Sequence, residues 1–379
     1  MDRLGTKLEE SEILLAKTAR DFAARRLAPG AAERDRTGRF PVEEIGELGA
    51  LGLLAMKVSE EDGGAGVSNV GYVLAMEAIA EACASTAVVL ASSNLAAKVL
   101  ADHASPEQRE RFVKPYARGE LGPASFALTE PLGGSDASAI RTRAREDGDS
   151  FVLDGDKAWI TSATHAGFHL VFARTDGDGR EGISCFVVPR GARGCVVGKE
   201  EDKMGQRASG TATLAFDGCR VPNLVGRRGG GYGIALSALG AGRVGIAALS
   251  IGLAESALAA GIAYAKERRA FGKPLVEFQN TQFVLADSRT ELDAAWLLTL
   301  RAARLLDAGE RAGAETSMAK LYASEACARV VDRVLQIHGG YGYSREYAIE
   351  RIYRDARVTR IYEGTSEIQR IVIARSVVA

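Results

Sequence analysis

Residues 168–189 read FHLVFARTDGDGREGISCFVVP. Within them GDGREG (Gly177–Gly182) has the spacing Gly-x-Gly-x-x-Gly, which in a dinucleotide-binding fold joins a strand to a helix. Here the residues that follow, ISCFVVP, are rich in β-branched and aromatic side chains and run to a proline. A second strand therefore stands where a helix N-terminus is required. Two strands around a turn exclude alternating βαβ units and point to an antiparallel sheet or barrel.

The strand period extends both ways. Upstream, ASFALTE starts at Ala124, IRTRARE alternates, and FVLDGDKAWIT (151–161) reads as two short strands around an Asp154–Gly155 hairpin turn. Downstream, TATLAFD carries the pattern to about residue 222. Outside this block apolar residues recur at helical spacing, from about 8 to 118 and again over about 234–267, 277–308 and 314–337, with a short helix after Ser366. The expected fold is an α+β multidomain chain: an N-terminal α-helical bundle (1–122), a middle antiparallel β-sandwich or barrel (123–225) and a C-terminal four-helix bundle (226–379).

Lys and Arg total 48 against 49 Asp and Glu, so no excess charge draws the chain to nucleic acid or an anionic membrane. The N-terminal stretch is amphipathic and charged, without an apolar signal-like core, and no segment has about 18 uninterrupted apolar residues. Five scattered cysteines without a CxxC fit a reducing compartment, and a cytoplasmic protein is expected. His165 and His169 stand four apart on a β pattern with no thiol or carboxylate to complete a site, so no metal is expected. GAGRVG (Gly240–Gly245) also matches the dinucleotide spacing, but a helix rather than a strand precedes it.

Four stretches remain. ALTEPLGGSD (127–136) ends a strand in a Gly-Gly-Ser-Asp turn, read either as an ordinary turn or as exposed N–H groups for an anion. Trp159 in KAWITS (157–162) is core or a wall for a flat ring. QIHGGYGY (336–343) has more glycine than a helix C-cap needs, which permits close approach to a backbone. In RDARVTRIYEGTSEIQR (354–370), Ser366 and Gln369 have capping-box spacing and Glu367 the first helical position. Glu363 precedes that cap on a connector loosened by Gly364, displayed rather than capping.

In this order, together with WIT and ERRAFGKPLVEFQ (267–279), these stretches resemble the acyl-CoA dehydrogenase family of flavoenzymes over nearly the whole chain. The resemblance implies FAD as cofactor. Phe126, Leu128, Thr129, Gly134 and Ser135 would meet flavin and pyrophosphate; Trp159, Ile160 and Thr161 would flank the isoalloxazine, Thr161 near N5. Arg268, Phe271, Gln279, Gln336, Gly339 and Gly340 would hold the ADP half of a cofactor shared with a neighbouring subunit, and Thr365 and Glu367 would touch it again. Such sharing implies a homodimer or homotetramer. Ser135, Arg243, Tyr362 and Gly364 would bind the acyl-CoA. Glu363 aligns with the family's catalytic base, which takes the α-proton while hydride leaves the β-carbon for flavin N5. The thioester carbonyl would be held by the Glu363 N–H and a ribityl hydroxyl, and an electron-transfer flavoprotein would accept the electrons.

Some relatives carry the base just before the arginine that is Arg243 here; this chain has Gly242 there, leaving Glu363 alone at either place. Three departures bear on the substrate. Gly240 replaces an aspartate that helps bind the CoA arm, Arg227 and Arg228 stand where acidic residues are common, and Lys98 lies near the expected acyl pocket. A carrier-protein acyl thioester is therefore an alternative substrate, a basic loop suiting an acidic carrier. An oxygen-using oxidase and a non-enzymatic scaffold are the other readings.

Overall fold

Helix α1 (Glu10–Phe22) buries one stripe through Ala16, Ala19 and Phe22, whereas α2 (Asn69–Ala82) and α3 (Ala84–His103) are buried on nearly every side. A helix apolar all round belongs in a core, and these two form the centre of the N-terminal bundle. Ser68 Oγ starts α2 by accepting from Gly71 N–H at 2.9 Å. The computed structural model describes residues 6–222 and 224–378; the first five residues of the charged N-terminal stretch, residue 223 and residue 379 lie outside it.

The middle region forms one eight-stranded sheet from β1 (Ala124–Ala127), β2 (Arg143–Asp147), β3 (Ser150–Ile160), β4 (Phe168–Arg174), β5 (Ile183–Pro189), β6 (Cys195–Glu200), β7 (Ala212–Pro222) and β8 (Leu224–Val225). The order is β6-β7-β3-β2-β4-β5-β8, with β1 beside β4. Most pairings are antiparallel, as the sequence predicts, but β1 and β2 both run parallel to β4. β1 and β2 follow one another along one edge of β4, opposite residues 168–171 and Arg174, with the 128–142 connection looped out between them.

The expected Asp154–Gly155 hairpin does not form. β3 runs unbroken through it, with a register shift against β7 between Leu153 and Gly155. Gly155, at φ +135°, lets the Thr142 backbone approach, and Asp154 Oδ1 accepts from Gly218 N–H at 2.8 Å. The Asp-Gly pair thus makes a bulge instead of a turn.

The C-terminal region is α4 (Gly231–Glu267), α5 (Gln279–Asp307), α6 (Gly313–His338), α7 (Ala348–Arg357) and α8 (Ser366–Val378). α4 and α6 lie parallel. Arg243 Nη1 donates to Ser317 Oγ at 2.8 Å near one end, and Tyr264 stacks on His338 with ring centroids 4.2 Å apart near the other. α3 and α4 are long and apolar enough to cross a membrane, yet their apolar residues are mostly buried inside the protein. GAGRVG lies within α4, and GDGREG joins β4 to β5.

Candidate active site

Five non-glycine residues among those described have left-handed backbone: Trp159, Ser162, Gln206, Phe271 and Glu363. Each costs about 1–3 kcal/mol, and such strain collects at functional sites. Four of the five are linked. Ser162 N–H donates to Ser209 O at 3.1 Å, and Ser209 Oγ donates to Gln206 O at 2.9 Å. Gln206 Nε2 then reaches Tyr362 Oη at 3.2 Å and Asp355 O at 3.1 Å. The end of β3, where Trp159 is 61% exposed, is thereby tied to the residue next to Glu363.

The glycine turn rests on a buried ion pair. Lys157 Nζ, fully buried, donates to Glu130 Oε1 at 2.7 Å and to Leu128 O at 3.2 Å. Burial pulls the ammonium down to about 8, against the attraction of Glu130. Glu130 also accepts from Arg141 N–H, Thr142 N–H and Thr142 Oγ1. Beyond it, among the described residues, no backbone carbonyl accepts from the N–H groups of exposed Gly134 and Ser135. Ala158 N–H donates to Thr129 O at 2.9 Å, placing the Thr129 and Trp159 segments side by side. Phe126 is partly buried beside Phe172, and Thr161 is partly buried. Leu128 and Ile160 turn their side chains into the core, so only their backbone is offered to a ligand.

Glu363 sits at φ +50° on the loop between α7 and α8. Its Oε2 is sealed from solvent without a hydrogen-bond partner. A Cβ built on Gly242 of α4 would lie 3.0 Å from that oxygen and 3.2 Å from Leu95 Cδ1. Burial pushes the carboxyl up to about 7, opposed by Lys320 and then Arg243. The capping box expected of Ser366 and Gln369 is absent. Ile368 N–H donates to Thr365 Oγ1 at 3.4 Å, and Ser366 Oγ donates to Glu325 at 2.7 Å. Gln369 Nε2 instead holds the loop, donating to Glu363 O at 3.2 Å and Gly364 O at 2.9 Å. The connector that looked loose is clamped. Glu367 is exposed on the first turn of α8.

The remaining predicted residues gather elsewhere. Arg268, at the end of α4, lies 5.3 Å above the Tyr341 ring, in a cleft of about 420 Å³ lined also by Tyr264, Ile337, Gly339 and Gly340. Phe271 beside it is 97% exposed, and Gln279 and Gln336 are exposed too. Arg268 follows Arg243 by 25 residues on one helix, roughly 37 Å along its axis. The predicted residues therefore gather in two places, not one.

Three family matches cover the chain in order: acyl-CoA dehydrogenase N-terminal domain over 9–120, middle domain over 125–219 and C-terminal domain over 229–378. The chain belongs to the acyl-CoA dehydrogenase family. It is 48% identical over 373 residues to the short-chain specific acyl-CoA dehydrogenase of Mus musculus mitochondria, covering 97% of this chain and 90% of the relative. Butyryl-CoA dehydrogenase of Megasphaera elsdenii superposes with a TM-score of 0.96 at 38% identity, covering 99% of this chain and 100% of that one. A chain solved in work on the electron transferring flavoprotein of Acidaminococcus fermentans and its flavin-based electron bifurcation also reaches 0.96, at 39% identity and 98% of each chain. As a member of this family of flavoenzymes, the chain is an oxidoreductase that dehydrogenates an acyl-CoA.

Sequence reading missed Lys320, Gln206 and Lys157, and two features it raised take ordinary roles. Lys98 pairs with Asp102 four residues on, and Arg228 is occupied by Glu146 and Asp176. His169 is buried against Ser125 Oγ at 2.7 Å, while His165 stacks on Phe40. A Cβ at Gly240 would meet open space.

Proposed function

We propose that the chain oxidises the Cα–Cβ bond of a short-chain acyl-CoA, with Glu363 as the base that removes the α-proton. The observation carrying this reading is Glu363 Oε2: sealed from solvent, without a hydrogen-bond partner and lying over Gly242, the helix position at which some relatives carry their base. A carboxyl brought to about 7 is matched to proton removal at neutral pH. Bound FAD would supply the sink for the electron pair leaving the β-carbon.

The residues present suit that cofactor. Trp159 offers an exposed indole face, and the free N–H groups of Gly134 and Ser135 suit a phosphate-bearing group. Phe126, Leu128, Thr129, Ile160 and Thr161 complete this wall. Thr365 and Glu367 border the base loop. The second half-site, with Arg268, Phe271, Gln279, Gln336, Gly339 and Gly340, has a cation and flat surfaces for the adenylate end. Its separation of roughly 37 Å along α4 supports sharing of each FAD between two copies in a homodimer, or in a homotetramer built from two such pairs.

Arg243, Ser135, Tyr362 and Gly364 would border the thioester, and the Glu363 N–H would hold its carbonyl oxygen. Leu95 stands against Gly242, so an acyl chain passing that point meets an apolar wall at once, in keeping with short-chain relatives. An electron-transfer flavoprotein would take up the electrons, a reading supported by the Acidaminococcus neighbour. Anaerobic butyryl-CoA should bleach the purified yellow protein, and Glu363→Gln should keep the colour and lose the bleaching. Full bleaching by that variant would place the base elsewhere.

A further inference from the structure

We propose that Lys320 is a positioning residue for the base: its buried ammonium pins the peptide that follows Glu363 and favours the charged form of the nearby carboxylate. The inference rests on Glu363 being the base. Lys320 lies on α6, fully buried, and its Nζ donates to Gly364 O at 2.8 Å. Among the described residues no carboxylate comes within ion-pairing reach of it. An ammonium in the core with a single acceptor is unfavourable, and methionine would fill the same space without that cost. The charge is therefore explained by what it faces.

It faces the catalytic loop. Gly364 O receives both Lys320 Nζ and Gln369 Nε2, while Glu363 O receives Gln369 as well. Two donors on one carbonyl fix the Gly364–Thr365 peptide, and with it the left-handed turn at Glu363 that aims the carboxylate at Gly242. The groups around the carboxylate come from several elements: Lys320 of α6, Arg243 of α4, Tyr72 of α2 and the adjoining Tyr362. Lys320 feels Glu363 and Arg243, and more weakly Glu325 of its own helix and Glu367 of α8. Glu325 is engaged by Ser366 and Arg360.

Burial favours the neutral carboxyl, and the two cations oppose it. Arg243 keeps its charge at any working pH but is tied to Ser317. Lys320 is the cation tied to the loop itself. Without it, burial is opposed by Arg243 alone and the base holds its proton to higher pH.

The test uses the holoenzyme with Lys320→Gln, which keeps a donor but no charge, and Lys320→Met, which keeps neither. One readout is an infrared titration of the protonated carboxyl band, assigned by its disappearance in Glu363→Gln. The other is the acidic limb of kcat/KM. Both midpoints should rise by roughly one to three pH units in each variant. Lys320→Gln should keep KM and the flavin spectrum, and Lys320→Met should lose further kcat as the clamp opens. Unshifted midpoints overturn the proposal, as does failure of Lys320→Gln to fold, which would make the lysine purely structural. If Glu363→Gln itself retains turnover, the base assignment has failed instead.

Discussion

A carbon added to Gly242 would stand 3.0 Å from Glu363 Oε2, so a helix and a loop far apart in sequence address one point in space. Gly242→Ala should therefore crowd the base and lower kcat. Stability should hold or rise, because alanine is favoured over glycine in a helix by about 1 kcal/mol. Stopped-flow flavin reduction beside a melting curve separates the two effects. An unchanged rate would mean that the carboxylate is not held over this position.

Removing the base itself should be far more damaging. Glu363→Gln is expected to lower kcat by about 10²- to 10⁴-fold, the usual scale of general-base catalysis. In the parent enzyme kcat/KM should fall as pH drops through about 7, where the carboxyl takes up its proton. A profile flat from pH 6 to 8 would contradict a dry carboxyl.

The same raised carboxyl has a stability consequence. Its ordinary value is 4.5 and its folded value about 7, so between those values the folded chain holds a proton that the unfolded chain has lost. Stability therefore declines as pH rises through that window, by at most about 3 kcal/mol. Glu363→Gln should resist urea better than the parent at pH 8, with the difference gone at pH 4. Equal midpoints at pH 8 would be evidence against desolvation.

Lys157→Met leaves Glu130 buried and unpaired, which should cost about 3–5 kcal/mol. Because Glu130 anchors the 128–142 connection, flavin content on purification should fall as well. Adding Glu130→Gln should recover part of the loss, giving a coupling in a double-mutant cycle. Strict additivity would argue that the pair does not hold the turn.

Sharing of the cofactor can be tested by mixing two inactive proteins. Glu363→Gln retains Arg268, and Arg268→Glu retains the base. If each site draws on two copies, refolding the variants together should restore turnover in the mixed pairs. A mixture that stays inactive would confine each site to one chain.

Much of this was legible in the sequence because its signals are local. Runs of β-branched and aromatic residues marked β4 and β5, glycine clustering marked the Ser135 turn, and the displacement of Glu363 from its helix cap set it apart from a capping residue. What escaped depends on tertiary neighbours. Asp154–Gly155 carries the usual hairpin signal, and only the approach of Thr142 turns it into a bulge. Gln369 looked like half of a capping box, but its amide turns back onto the Glu363 loop. Lys320 and Lys157 look like solvated lysines in a chain with balanced charge, and nothing nearby in sequence announces that each is fully buried.

The unbroken course of α4 makes its angular phase matter. Inserting one residue between Arg243 and Arg268 would rotate everything beyond by about 100° while leaving the catalytic end in register. Such a chain would keep a well-formed proton-abstracting crevice yet come off the column colourless.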